Sequence, residues 1–103
     1  MSSLSTHVLD ATNGRPAAGV PVRVERADGS AVAEGLTDAD GRVAKLAADL
    51  AAGTYRLVFD TGSYFQDTFY PEVAVTFRVD GPEQHYHVPL LLSPFAYSTY
   101  RGS

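Results

Sequence analysis

The chain predicts an all-β fold, a sandwich of two sheets built from about eight short strands with one short helix. Two observations carry that prediction. Turn signals recur along the whole length, at Asn13-Gly14, Asp28-Gly29, Asp40-Gly41, Gly53, Gly62 and Asp80-Gly81-Pro82. Between them lie short runs rich in β-branched and aromatic residues, several of which alternate apolar with polar. A length of 103 residues with 45% apolar composition suits one domain, 1–103. Such a chain buries roughly two-thirds of its unfolded surface, enough for a core without staples.

The elements follow in order. Leu4 to Asp10 is the first strand, with Thr6 and Val8 on one face and His7 and Leu9 on the other. Val20 to Arg26 alternates, placing Val20, Val22 and Val24 inward. Ala31 to Leu36 is its return strand after the Asp28-Gly29 turn. Arg42 to Leu46 is a short strand, and Asp49 to Ala52 suits one helical turn stopped by Gly53. Thr54 to Asp60 puts Tyr55, Leu57 and Phe59 on one face. The one helix is expected within Thr61 to Thr68. Glu72 to Val79 turns Val73, Val75, Phe77 and Val79 inward. Gln84 to Leu92 has a core face of Tyr86, Val88, Leu90 and Leu92. A hairpin at Ser93-Pro94 leads to a last strand, with Ser98, Tyr100 and Gly102 on one face and Tyr97, Thr99 and Arg101 on the other.

The other face of the Gln84–Leu92 strand is His85, His87, Pro89 and Leu91. A sandwich buries only one face of each sheet. A second, largely apolar face asks for cover, most simply from another subunit, and unpaired strand edges point the same way. Pro89 lacks a ladder donor and is expected at an edge or bulge.

Composition removes several classes of function. With no cysteine there is no disulfide and no thiolate metal site, which fits a reducing compartment. A formal charge of −4 without a basic cluster argues against a nucleic-acid partner. No apolar run approaches the ~20 residues needed to span a bilayer, and the first residues lack the basic and apolar regions of an export signal. A cytoplasmic protein is expected. No Gly-x-Ser-x-Gly elbow, phosphate loop or dinucleotide fingerprint is present.

Three residues can carry chemistry together. His7 and His87 converge on one sheet face if their strands pair, and Arg42 follows the Asp40-Gly41 turn. Taken singly, each is unremarkable: a strand histidine is more often structural, and such an arginine is usually solvated. His85 is expected at the surface near a loop, and Arg101 as a tail anchor to a carboxylate. An arginine is a poor neighbour for a cation, and no cysteine or carboxylate pair completes a ligand set, so no metal is expected.

The segments His7-Val-Leu-Asp10, Asp38-Ala-Asp-Gly-Arg42 and the closing Tyr100-Arg101-Gly102-Ser103 closely resemble one family, the 5-hydroxyisourate hydrolases, transthyretin-like enzymes of urate breakdown. The resemblance covers essentially the whole chain, and its most specific element is the Tyr-Arg-Gly-Ser tail. It implies the transthyretin-like sandwich and cofactor-free hydrolysis of 5-hydroxyisourate to 2-oxo-4-hydroxy-4-carboxy-5-ureidoimidazoline. It also implies an active site of His7, Arg42 and His87, with Tyr100 lining the substrate pocket and Ser103 at the same site. It implies a homotetramer built as a dimer of dimers. The residue types suit that chemistry: a neutral imidazole deprotonates water, a guanidinium holds the developing oxyanion, and an aromatic wall holds a flat ring. Which histidine is the base is left open. Two other classes fit parts of the chain, a small-ligand carrier of the transthyretin kind and a structural β-sandwich module. Neither needs His, Arg and His together.

Overall fold

Alternation decides most of the architecture. In the computed structural model, which describes residues 1–81 and 83–103, nine strands form two sheets. They are β1 (Ser2–Asp10), β2 (Arg15–Pro16), β3 (Pro21–Arg26), β4 (Ala31–Leu36), β5 (Arg42–Leu50), β6 (Gly53–Phe59), β7 (Val73–Val79), β8 (His85–Leu92) and β9 (Tyr97–Thr99). The short β2 accounts for the ninth strand.

One sheet runs β4-β3-β6-β7, antiparallel throughout. The other runs β2-β1-β8-β9, with β5 sharing with β2 the same edge of β1. At its centre β1 and β8 pair in parallel over eight residues, from Ser3↔His85 to Asp10↔Leu92. The core lies between the sheets. Leu4, Val8, Tyr86, Val88, Leu90 and Leu92 meet Val22, Val24, Tyr55, Leu57, Phe59, Val73 and Val79 there. Burying a side chain of this size is worth about 1.5–3 kcal/mol, so the alternation binds each strand to its register.

The structure corrects four details. β5 does not stop at Leu46 but runs on to Leu50, so no helical turn forms at Asp49 to Ala52. Leu46 and Leu50 are buried and the residues between them face outward around bulges against β1, which keeps the segment extended. The helix expected within Thr61 to Thr68 shrinks to a 3₁₀ turn at Thr61–Ser63. The rest of that segment is held by side chains: Thr61 Oγ1 donates to Tyr70 O, and the Tyr64 hydroxyl donates to Asp10 Oδ2 at 2.8 Å. The break at Asp80-Gly81-Pro82 separates β7 from β8, with Pro82 outside the described residues.

Pro89 is the third correction, since it lies in an interior strand. Ser3 N–H donates to Gln84 O at 3.1 Å, whereas Gly102 N–H donates to His87 O at 2.8 Å. Even-numbered residues of β8 therefore turn their backbone groups to β1 and odd-numbered ones to the tail. The absent donor of Pro89 falls on the tail side. There the ladder is interrupted between Leu90↔Thr99 and the isolated bridge His87↔Gly102. Pro89 O accepts from Thr99 Oγ1 at 2.7 Å instead. The fourth correction concerns the second apolar face: Pro89 is itself buried and Leu91 half-buried, and the exposed aromatics are Phe69 (70%), Phe95 (72%) and Tyr100 (59%), with Tyr97 less so. No helix among the described residues is long and apolar enough to cross a membrane.

Candidate active site

The site lies on the outer face of the β5-β1-β8-tail sheet. Alternation in β1 turns Ser3, Ser5 and His7 outward, and the parallel register sets them beside His85, His87 and Pro89 of β8. His7 stands directly opposite Arg42 of β5. His87 stands one strand over and two residues along from His7, about 8 Å by ordinary sheet spacings. The three residues singled out from the sequence thus share one face.

Arg42 is placed by the turn before it. Asp38 Oδ1 accepts from the N–H groups of Asp40 (2.9 Å) and Arg42 (3.0 Å), and Val8 N–H donates to Gly41 O at 2.7 Å. Gly41 has φ +74°, and a Cβ there would strike Val8 O, so only glycine lets the turn press on β1 and present Arg42 to His7. The side chain of Arg42 is exposed and makes no ion pair among the described residues. Its charge is free for a ligand.

His87 is half-buried and held from two sides. Its Nδ1 lies 2.8 Å from Ser5 Oγ, and Gly102 lies against its ring. Burial, then the charge of Arg42 and the neighbouring His7 and His85, hold the His87 imidazole below the ordinary histidine range. It is a neutral base at pH 7. His85 is exposed, as expected, yet it is not idle: its Nδ1 lies 2.6 Å from Ser3 Oγ and its Nε2 lies 2.8 Å from Ser5 Oγ.

The tail closes one side. The hairpin at Ser93-Pro94 brings β9 along β8, and beyond Thr99 the chain keeps the same register to Gly102. Tyr100, Gly102 and Ser103 line an open concavity of about 430 Å³ with Ser5, Arg42, His85 and His87. His7 is not part of that lining; it stands beside the concavity, across from Arg42. Arg101 is a tail anchor, though not to a carboxylate. It donates to Gln84 Oε1 at 3.0 Å and lies 4.9 Å over the ring of Tyr86. Among the described residues, no group of three His, Cys, Asp or Glu side chains is arranged to hold a metal ion.

Ser3 and Ser5 were not anticipated. Their signal was in the sequence: three polar residues at period two, Ser3, Ser5 and His7, on a face opposite the apolar Leu4 and Val8.

Comparison with known proteins matches residues 4–102 to the HIUase/Transthyretin family. The chain belongs to that family. It is 50% identical to the 5-hydroxyisourate hydrolase of Caulobacter vibrioides, over the full length of both chains. The solved structure of Klebsiella pneumoniae 5-hydroxyisourate hydrolase superposes with a TM-score of 0.92 at 40% identity, again covering all of both chains. Sea bream transthyretin in complex with thyroxine, a family member that binds a ligand, superposes with a TM-score of 0.90 at 36% identity, covering 97% of this chain and 94% of that one. The fold is thus the transthyretin-like sandwich, shared within the family by enzymes and by a ligand-binding protein. The site residues must separate the two.

Proposed function

We propose that this chain is a 5-hydroxyisourate hydrolase of urate breakdown, opening its substrate to 2-oxo-4-hydroxy-4-carboxy-5-ureidoimidazoline without a cofactor. One observation carries the proposal: His7, Arg42 and His87 stand on one open sheet face, with the guanidinium unpaired among the described residues and His87 held neutral. A carrier has no use for that set. The likeness to hydrolases of 50% and 40% identity supports the same choice.

In the reaction, a water oxygen bonds to a ring carbonyl carbon as a histidine takes one of its protons. The carbonyl electrons move to oxygen, where the Arg42 guanidinium holds the negative charge. The ring C–N bond then breaks and nitrogen takes the proton back. His87 is the base, because burial and its cationic neighbours keep it neutral. His7, opposite Arg42, orients the water and the substrate. Tyr100 and Ser103 wall the concavity against which the flat ring rests. Incubating the purified protein with freshly made 5-hydroxyisourate and following its ultraviolet decay tests this; a rate equal to the spontaneous one refutes it.

The working form is a homotetramer, a dimer of dimers. The exposed Phe69, Phe95, Tyr97 and Tyr100 support this, since a small chain seldom leaves so many large aromatics on its surface. A second subunit over Tyr100 closes the open concavity into a pocket. A cysteine-free chain with no membrane-crossing helix among its described residues suits the cytoplasm.

A further inference from the structure

Ser5 and His85 have no place in the reaction as just described, yet they form a continuous hydrogen-bonded chain with it. The distances are 2.6 Å from Ser3 Oγ to His85 Nδ1, 2.8 Å from His85 Nε2 to Ser5 Oγ, and 2.8 Å from Ser5 Oγ to His87 Nδ1. We propose that Ser5 and His85 are positioning residues of the hydrolytic site: the chain Ser3–His85–Ser5–His87 sets which nitrogen of His87 is bare and carries its proton to the surface. The proposal rests on the hydrolase reading given above.

Proton counting supports it. Ser5 has one hydroxyl proton and two imidazole neighbours, so it can donate to only one ring and the other must donate to it. If Ser5 donates to His85 Nε2, then His87 Nδ1–H donates to Ser5, and His85 Nδ1–H donates to Ser3. That polarity leaves His87 Nε2 with a free lone pair for water. The reverse polarity puts a proton on Nε2 and disarms the base. Two neutral histidines bridged by Ser5 therefore run in one direction or the other, and only the first is competent.

The two polarities are also the start and finish of a proton transfer. Water gives a proton to His87 Nε2 while its oxygen bonds to the substrate carbon. The Nδ1 proton passes to Ser5 Oγ, the Ser5 proton to His85 Nε2, the His85 Nδ1 proton to Ser3 Oγ, and the Ser3 proton to solvent. His85 is exposed and Ser3 half-buried, so the chain opens to water at that end. Breaking of the ring C–N bond draws the Nε2 proton to nitrogen and runs the chain back. No step leaves an imidazolium beside Arg42, where a second positive charge is costly. The groups facing His87 are Ser5 and His7 from β1, Arg42 from β5, His85 on β8 itself, and Tyr100, Arg101, Gly102 and Ser103 of the tail. Ser5 is buried while His85 is not, so the hub is shielded and the outlet is wet.

The test uses the full-length protein and the substitutions Ser5→Ala, Ser5→Thr and His85→Ala. Ser5→Ala should lower kcat on the order of tenfold or more, part of the 10²–10⁴ a positioned base supplies, with KM little changed. Ser5→Thr keeps the hydroxyl and should restore most of the rate. Ser5→Ala/His85→Ala should be no slower than Ser5→Ala, because the two act in one chain. Nitrogen-15 histidine spectra should show His87 protonated at Nδ1 in the native protein and mixed in Ser5→Ala. Native-like kcat for Ser5→Ala beside an inactive His87→Ala overturns the relay and spares the hydrolase reading. Native-like rates for both overturn the placement of the site itself. A native His87 protonated mainly at Nε2 also overturns the relay.

Discussion

Gly102→Ala should disable the enzyme while leaving the fold nearly intact. A Cβ at Gly102 falls 2.5 Å from His87 Cδ2 and 3.2 Å from both His87 Cγ and His87 O. Carbon atoms settle at about 3.5–4.0 Å, so ring and tail must separate by about 1 Å. The ring cannot simply retreat, because Ser5 Oγ holds its Nδ1 at 2.8 Å on the other side. If the ring moves, that bond is lost, at about 1 kcal/mol. If the tail moves, the Gly102 N–H bond to His87 O at 2.8 Å goes, and Tyr100 and Ser103 leave the concavity with it. Either way a reacting group is misplaced by about 1 Å, which commonly costs on the order of 10²-fold in rate. Loss of about 1 kcal/mol moves the Tm of a chain this size by only about 4–8 °C. The assay is kcat on 5-hydroxyisourate beside a thermal melt. A folded Gly102→Ala protein within about threefold of the native rate refutes the claim that tail and base are in working contact.

Four further outcomes follow from the same geometry. His7→Ala and His87→Ala should each lower the rate by at least ~10²-fold with the fold retained by circular dichroism; two active variants would move the site elsewhere. Because His87 titrates below the ordinary imidazole value near 6.5, the acid limb of the pH–rate profile should lie below that value; a limb above 6.5 contradicts the environment described. Stability should fall in the same direction, since below about pH 6.5 the unfolded chain binds a proton that the folded ring resists, which acid-range melts will read. Exhaustive chelation should leave activity unchanged, and loss restored by zinc would overturn the mechanism. Light scattering at micromolar concentration should give a tetramer; an 11.0 kDa species would remove the second subunit from the pocket.

What could be read from the sequence followed the strength of the alternation. β3, β6, β7 and β8 declare their inner faces through Val22, Leu57, Val73 and Leu90, and the hairpin at Ser93-Pro94 declares the pairing of β8 with β9. His7 and His87 could be set on outer faces, but their meeting depends on the parallel pairing of β1 with β8, which no local pattern encodes. β5 was cut short because Ala47, Ala48 and Asp49 carry no alternation; only the bulged pairing with β1 explains them. The segment after Thr61 has aromatic residues that suit a helix, yet Tyr64 is bound instead to a carboxylate on a distant strand. Pro89 defied strand rules because the cost of its missing donor depends on which neighbour that donor would have faced.

The site's hydrogen bonds join residues 80 and 82 positions apart. Strands at opposite ends of the chain must therefore meet before any of the catalytic face exists. Pairings so distant close late, because the loop entropy between them must be met first. A nascent chain that has not yet released β8 from the ribosome holds His7 and Arg42 but no base, so catalysis arrives only with the completed fold. Half-made molecules are thereby silent: they neither consume the substrate nor offer its labile ring a partial site.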